Sequence, residues 1–252
     1  MTRKKDVWGR CSICEKQGKL SFEHVPNQAA YNQSAVIEYS WENVLVKKEN
    51  FKGKIIQGGI GEYTLCESCN NDTGHWYGGE YTRWAKSCFA FLMTHKSSLS
   101  DLNEATIKLH NVYPLRFLKQ VVVMFFSVTP GLARTYPKLQ KYVLDKQETQ
   151  LPEGCRFYLN FYFGTRPILK RWPLAGKISV RVEGNQIIPI SSSIISEMAH
   201  PPFAIIMAED NGFLGAGEIT SFTRCGYNQM VKEVTLKLRI LKGESALPGG
   251  FQ

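Results

Sequence analysis

A chain of 252 residues with 43% hydrophobic and 21% charged side chains can bury a core without crosslinks, as one large domain or two modest ones. It has no run of about 18 apolar residues, which argues against a membrane-spanning helix. Its basic start, MTRKKDVWGRC, lacks the apolar stretch of a secretory signal. A net charge of +9 attracts polyanions by releasing their counterions, yet charge alone leaves nucleic-acid binding and plain solubility equally open.

A cytoplasmic location is then the default, and the seven cysteines are expected as thiols or metal ligands rather than disulfides. Basic residues crowd the start (Arg3, Lys4, Lys5, Arg10, Lys16, Lys19) and recur at Lys47, Lys48, Lys52 and Lys54. Cys11-Ser-Ile-Cys14 has the form of a zinc-knuckle turn. Leu20 to Val25 reads as a short strand ended by Pro26, and Gly58, Gly59 and Gly61 mark a turn. Glu62 to Leu65 reads as a short strand entering a second C-x2-C, Cys66–Cys69. From about Gly79 the pattern is helical, with Tyr81, Trp84, Ala85, Cys88 and Leu92 on one face.

The polar stretch Ser97 to Asn103 sets a soft boundary, giving parts 1–100 and 101–252. The second part opens with an expected buried amphipathic helix, Tyr113 to Val128, stopped by Pro130 and Gly131. Arg156 to Phe163 then alternates, with Phe157, Leu159, Phe161 and Phe163 on one side. Lys177–Val182 and Gln186–Ile190 flank the hairpin signal Gly184-Asn185, Ala204–Ala208 is a short apolar run, and Val234–Ile240 alternates. The expected class is α+β, with an antiparallel, strand-rich second part.

Two C-x2-C turns can close a tetrahedral four-cysteine site, so Cys11, Cys14, Cys66 and Cys69 are the expected ligands of one structural zinc ion. Cys88, Cys155 and Cys225 lack such partners and are expected as small buried residues. The staple would bring Glu23-His24 near Asn70-Asn71. An imidazole can take a proton from water, and carboxylate and amide oxygens suit Mg²⁺ or Mn²⁺, a combination fit for phosphodiester hydrolysis.

The residues CSIC…FEHVP…LCESCNN resemble the HNH nuclease family, the ββα-metal group, in its four-cysteine form, over roughly residues 8 to 85. The likeness is closest to the endonuclease VII-like branch, where Asn follows the last cysteine. It implies a treble-clef-like N-terminal nuclease domain with His24 as general base and Glu23 and Asn70 as ligands of the catalytic Mg²⁺ or Mn²⁺. Asn71 would orient the base or the backbone. Close to it, His75 could be a further ligand or phosphate contact, although a solvent-exposed turn histidine is preferred. Several features depart from the family pattern: Glu23 where Asp is common, Asn70 where many members have His, Thr73-Gly74 where many have Lys, and a long insert between His24 and Cys66.

Each residue also has a plainer role. Glu23-His24 alone would be surface residues of an edge strand, but between two knuckles the catalytic role is preferred. Asn70 could also cap a helix. Trp76, Tyr77, Tyr81 and Trp84 could stack on bases, although core packing is preferred. Arg3, Lys4, Lys5, Arg10, Arg83 and Lys86 are the expected phosphate contacts. His95, His110 and His200 receive no role. The strand FYLNFYFG and the run Lys170-Arg171-Trp172 could form a binding surface, although a core strand with an exposed end is preferred.

By analogy with family members in restriction and antiphage systems, the second part would supply substrate choice or dock a protein partner or activator. The preferred expectation is therefore a metal-dependent endonuclease acting on nucleic acid, DNA first. A non-cleaving zinc-stapled binding module and an assembly subunit are the alternatives.

Overall fold

The computed structural model describes residues 6–38, 54–99, 101–163, 168–184, 186–209 and 217–242. Arg3, Lys4, Lys5, Lys47, Lys48, Lys52 and Asn185 lie outside them. Strand β1 (Val7–Arg10) turns through the first knuckle into β2 (Gln17–His24). Glu15 takes the turn's left-handed backbone (φ 59°), and the Cys11 amide donates to the Lys16 carbonyl at 3.0 Å. After β3 (Val36–Glu38) and β4 (Lys54–Ile56), β5 (Gly61–Cys66) returns antiparallel to β2, with Leu20 opposite Cys66 and His24 opposite Gly61. The result is a three-stranded sheet in the order β1-β2-β5. Glycine at 61 allows this close pairing, since a Cβ there would lie 2.3 Å from the Glu23 carbonyl oxygen.

Helix α1 (Glu67–Thr73) starts directly at the end of β5, with Cys66 at its N-cap. A π-helical turn (Gly74–Gly78) joins it to α2 (Gly79–Thr94). Tyr81, Trp84, Ala85, Cys88 and Leu92 are all buried, as their spacing predicts. Trp84 and Tyr81 stack on Phe117 at centroid distances of 4.1 and 5.6 Å. Trp84 and Tyr81 therefore serve the core, as does the fully buried Tyr77, which donates to the Val143 carbonyl.

A short helix α3 (Lys96–Leu99) and strand β6 (Glu104–Val112) lead to α4 (Pro114–Val128). Every α4 residue except Arg116 is buried, so the helix is covered on all sides rather than amphipathic. The short helices α5 (Leu132–Thr135) and α6 (Pro137–Leu144) follow, then β7 (Cys155–Phe163), β8 (Ile168–Glu183), β9 (Gln186–His200), β10 (Phe203–Glu209) and β11 (Val231–Lys242).

The second sheet has eight strands in the order β4-β3-β8-β9-β10-β7-β11-β6. Most neighbours are antiparallel, but β3 with β8 and β7 with β11 are parallel, a departure from the all-antiparallel expectation. The insert between His24 and Cys66 thus supplies the outermost two strands at one end of this sheet, β4 at the edge and β3 next to it. The one-sided reading of β7 also needs correcting. Tyr158, Asn160 and Tyr162 are buried along with Phe157, Leu159 and Phe161, because β7 lies inside the sheet with a further small cluster on its other face. One hydrophobic cluster runs from Cys11 and Leu65 through α2 and α4 to Ile240, crossing the expected boundary at Ser97 to Asn103. Among the described residues no helix is long and apolar enough to cross a membrane.

Buried Glu80 locks α2 to the start of α4. Its carboxylate accepts from Arg83 Nη2 (2.7 and 2.8 Å), Trp84 Nε1 (2.8 Å) and the Tyr113 amide (2.8 Å). Glu80→Gln weakens these charge-assisted bonds and is expected to lower stability by roughly 2 kcal/mol, read as urea midpoint at unchanged m-value. An unchanged midpoint would mean that the network contributes nothing.

Candidate metal centre and adjoining cleft

The sulfurs of Cys11, Cys14, Cys66 and Cys69 lie within 4.8 Å of one another, with Cys14 and Cys66 Sγ 3.8 Å apart. A tetrahedral ion with arms of about 2.3 Å holds its sulfur ligands about 3.8 Å apart, so the cluster is compatible with a structural zinc site. Two features bring the knuckles together: the β2–β5 pairing, and the Ser12 amide donating to the Thr64 carbonyl at 2.8 Å. The hydrogen bond from Cys69 holds the Cys11 thiol well below its usual range. The amides of Cys66, Cys14 and Ile13 act in the same direction and burial opposes them. The Cys69 thiol that makes this bond is pushed up in turn, and burial raises Cys14, so the four thiolates that a zinc ion takes would form only as the ion binds.

Beside the cluster lies a cleft of about 220 Å³, lined by Glu23, His24 and Asn70 together with Asn27, Thr73 and Gln120. The hairpin end supplies the first two and α1 the third. Glu23 turns inward and is 8% exposed. Its Oε1 accepts from Thr64 Oγ1 and, at 2.5 Å, from Ser127 Oγ of α4. Burial pushes its carboxyl up to about 7, against the pull of these two hydroxyls. Among the described residues, Oε2 has no hydrogen-bond partner. Asn70 donates through Nδ2 to Ser21 Oγ at 3.0 Å, which leaves Oδ1 as its free acceptor. His24 lies edge-on to Phe22, centroids 5.1 Å apart, and neither ring nitrogen is hydrogen-bonded among the described residues.

Asn71 and His75 are exposed on the helical run and are not part of the cleft wall. Arg10 pairs with Glu15 at 3.3 Å and Arg83 is held by Glu80, whereas Lys86 is exposed and has no acidic partner among the described residues. Lys170, Arg171 and Trp172 fall within β8. The sequence reading missed Asn27, Gln120 and Ser127. Gln120 Nε2 donates to Asn27 Oδ1 at 3.4 Å, Asn27 Nδ2 donates to the Gly78 carbonyl at 3.0 Å, and buried Gln120 Oε1 has no partner among the described residues. Gln120 and Ser127 are uncharged polar residues two turns apart that flank the apolar run Val121–Phe126, a signal that could have found them.

No protein-family model, curated protein or solved structure matches this chain.

Proposed function

We propose that the protein is a metal-dependent endonuclease of the HNH type, hydrolysing phosphodiester bonds of nucleic acid with a zinc-stapled strand–strand–helix unit as its frame. The observation carrying this reading is the convergence of Glu23, His24 and Asn70 on one cleft beside the four-cysteine cluster. The donor set fits Mg²⁺ or Mn²⁺: Glu23 Oε2 and Asn70 Oδ1 are hard oxygens with no competing hydrogen bond. When bound, such an ion neutralises the scissile phosphate and stabilises the leaving oxygen.

His24 takes the proton from the attacking water through a ring nitrogen that no protein group occupies. Ser21 holds the Asn70 amide so that its oxygen faces outward. Thr64 and Ser127 fix the Glu23 carboxylate through the oxygen that does not ligate. Arg10 and Lys19, on exposed strand positions and paired with Glu15 and Asp6 at 3.3 and 2.7 Å, would exchange these partners for phosphates of the flanking backbone without reading sequence.

The test is nicking of supercoiled plasmid with Mg²⁺ or Mn²⁺, with zinc content checked in each sample. His24→Ala is expected to lose about 10²- to 10⁴-fold in rate at unchanged zinc. Equal nicking by both proteins would remove His24 from the mechanism. One observation favours a second reading, a non-cleaving binding module or assembly subunit: burial of Glu23 disfavours the ionised form that a metal needs. Zinc-loaded protein that binds DNA and never cleaves it would support that reading.

A further inference from the structure

A second cavity, of about 530 Å³, adjoins the same chain segment. Asn27 and Gln28 line the cleft, while Ala29, Tyr31, Gln33 and Ser34 line this cavity with Lys86 and Phe89 of α2 and His200 at the end of β9. Its volume falls within the roughly 300–1,000 Å³ of ligand pockets, which the cleft does not reach.

The segment is pinned rather than loose. Fully buried Asn32 donates to the carbonyls of Pro26 (2.6 Å) and Ile60 (2.7 Å) and accepts from the Ile60 amide (2.7 Å). Tyr31 sits in the left-handed region (φ 68°), which presents its ring 39% exposed against Phe89, centroids 4.3 Å apart. A non-glycine residue held in this region is strained and occurs at ligand-binding positions more than by chance.

His200 is 5% exposed, and its Nδ1 lies 2.8 Å from the Pro201 carbonyl. A carbonyl can only accept, so the proton is on Nδ1 and Nε2 is an acceptor, with no partner among the described residues. Lys86, which has no acidic partner among the described residues, adds a cation at the rim. An aromatic platform, one hydrogen-bond acceptor and one cation together match a nucleotide: a flat ring, an edge N–H and a phosphate.

We propose that this cavity is a base-binding subsite that takes one unpaired nucleotide of the strand lying in the neighbouring cleft. The subsite rests on the nuclease reading and makes its substrate class nucleic acid with unpaired bases, rather than uninterrupted duplex. The ring lies on the exposed face of Tyr31, which Phe89 backs, its N–H donates to His200 Nε2, and its phosphate meets Lys86.

The test uses full-length zinc-loaded protein and a short single-stranded oligodeoxynucleotide carrying one 2-aminopurine, without Mg²⁺ or Mn²⁺ so that nothing is cut. Wild type is expected to quench the probe by stacking and to bind the single strand at least about tenfold tighter than the matching duplex. Tyr31→Asn, chosen because Asn tolerates positive φ, should lose the quench and about tenfold in affinity. Lys86→Gln, at an exposed site, should keep the quench and flatten the salt dependence. Equal quenching and affinity in wild type and Tyr31→Asn, or a duplex bound as tightly as the single strand, would overturn the subsite. Quenching without cutting of the same single strand once Mg²⁺ or Mn²⁺ is added would leave the subsite standing and sink the nuclease, and cutting without quenching would do the reverse.

Discussion

Stripping the metal from the four-cysteine cluster, by chelation or by Cys69→Ser, is expected to dissolve the strand–strand–helix unit. Its own elements are short: β1 has four residues, β2 eight, β5 six and α1 seven. A helix that short is marginal alone, and a small sheet needs a packed face. A structural zinc site contributes on the order of 10 kcal/mol to such a fold, more than most domains have as net stability. Buried Ile13 and Leu65 bind this unit to the core that contains α2 and α4, so the loss should spread into the rest of the chain. The expected result is about one zinc per chain in wild type, a large fall in melting temperature for Cys69→Ser, and loss of divalent-ion binding in the same sample. Cys225→Ser, outside the cluster, should keep its zinc and its melting point. If chelation releases zinc and melting is unchanged, the cluster is no staple.

What the sequence made legible follows from the length scale of each signal. The paired C-x2-C spacing is local and chemically specific, and the four sulfurs do cluster. The face of α2 and the start and end of α4 are written in side-chain periodicity over many residues, and both appear near the expected positions. The three-residue strands β3 and β4 carry no readable pattern, and their pairing with β8 is decided by distant residues. The double-sided burial of β7 was hidden because Tyr158, Asn160 and Tyr162 look polar in an alternating strand. Tyr and Asn can enter a core when a neighbouring sheet face covers them.

The cleft divides along the same line. Glu23, His24 and Asn70 were legible because they flank the knuckles, and β2, β5 and α1 bring them into one wall. Gln120 and Ser127 stand out in the sequence only as polar residues of α4, and what they face is set by the approach of α4 to β5 and to Glu23. Arg83 looked like a phosphate contact by charge alone, yet buried Glu80 three residues away binds it. Lys86, on the same helix and without such a neighbour, remains available.

Glu23→Gln is expected to raise stability at pH 8 by about 3 kcal/mol while abolishing divalent-ion binding. Glutamine keeps the shape and an oxygen to accept from Thr64 and Ser127, but carries no charge to bury. The folded carboxyl titrates at about 7 because it is buried, against 4.5 when unfolded. Between those values the folded protein keeps a proton that the unfolded chain has released, so wild type loses stability as pH rises through that window. Above pH 7 the accumulated difference is about 3 kcal/mol, and below about pH 4.5 it vanishes. Loss of zinc in acid is common to both proteins and cancels when they are compared at each pH.

Added Mn²⁺ is expected to narrow this difference. Wild type should gain melting temperature with added Mn²⁺, because the ion binds the folded state and favours the ionised carboxylate, whereas Glu23→Gln should not respond. A mutant that is less stable at pH 8 would place the charged carboxylate among the favourable contacts of the metal-free fold. A mutant that is more stable yet still responds to Mn²⁺ would remove Glu23 from the ion's ligands. Gain of stability joined to loss of the Mn²⁺ response identifies an unfavourable buried charge that only a divalent ion offsets, a pattern a purely structural carboxylate does not produce.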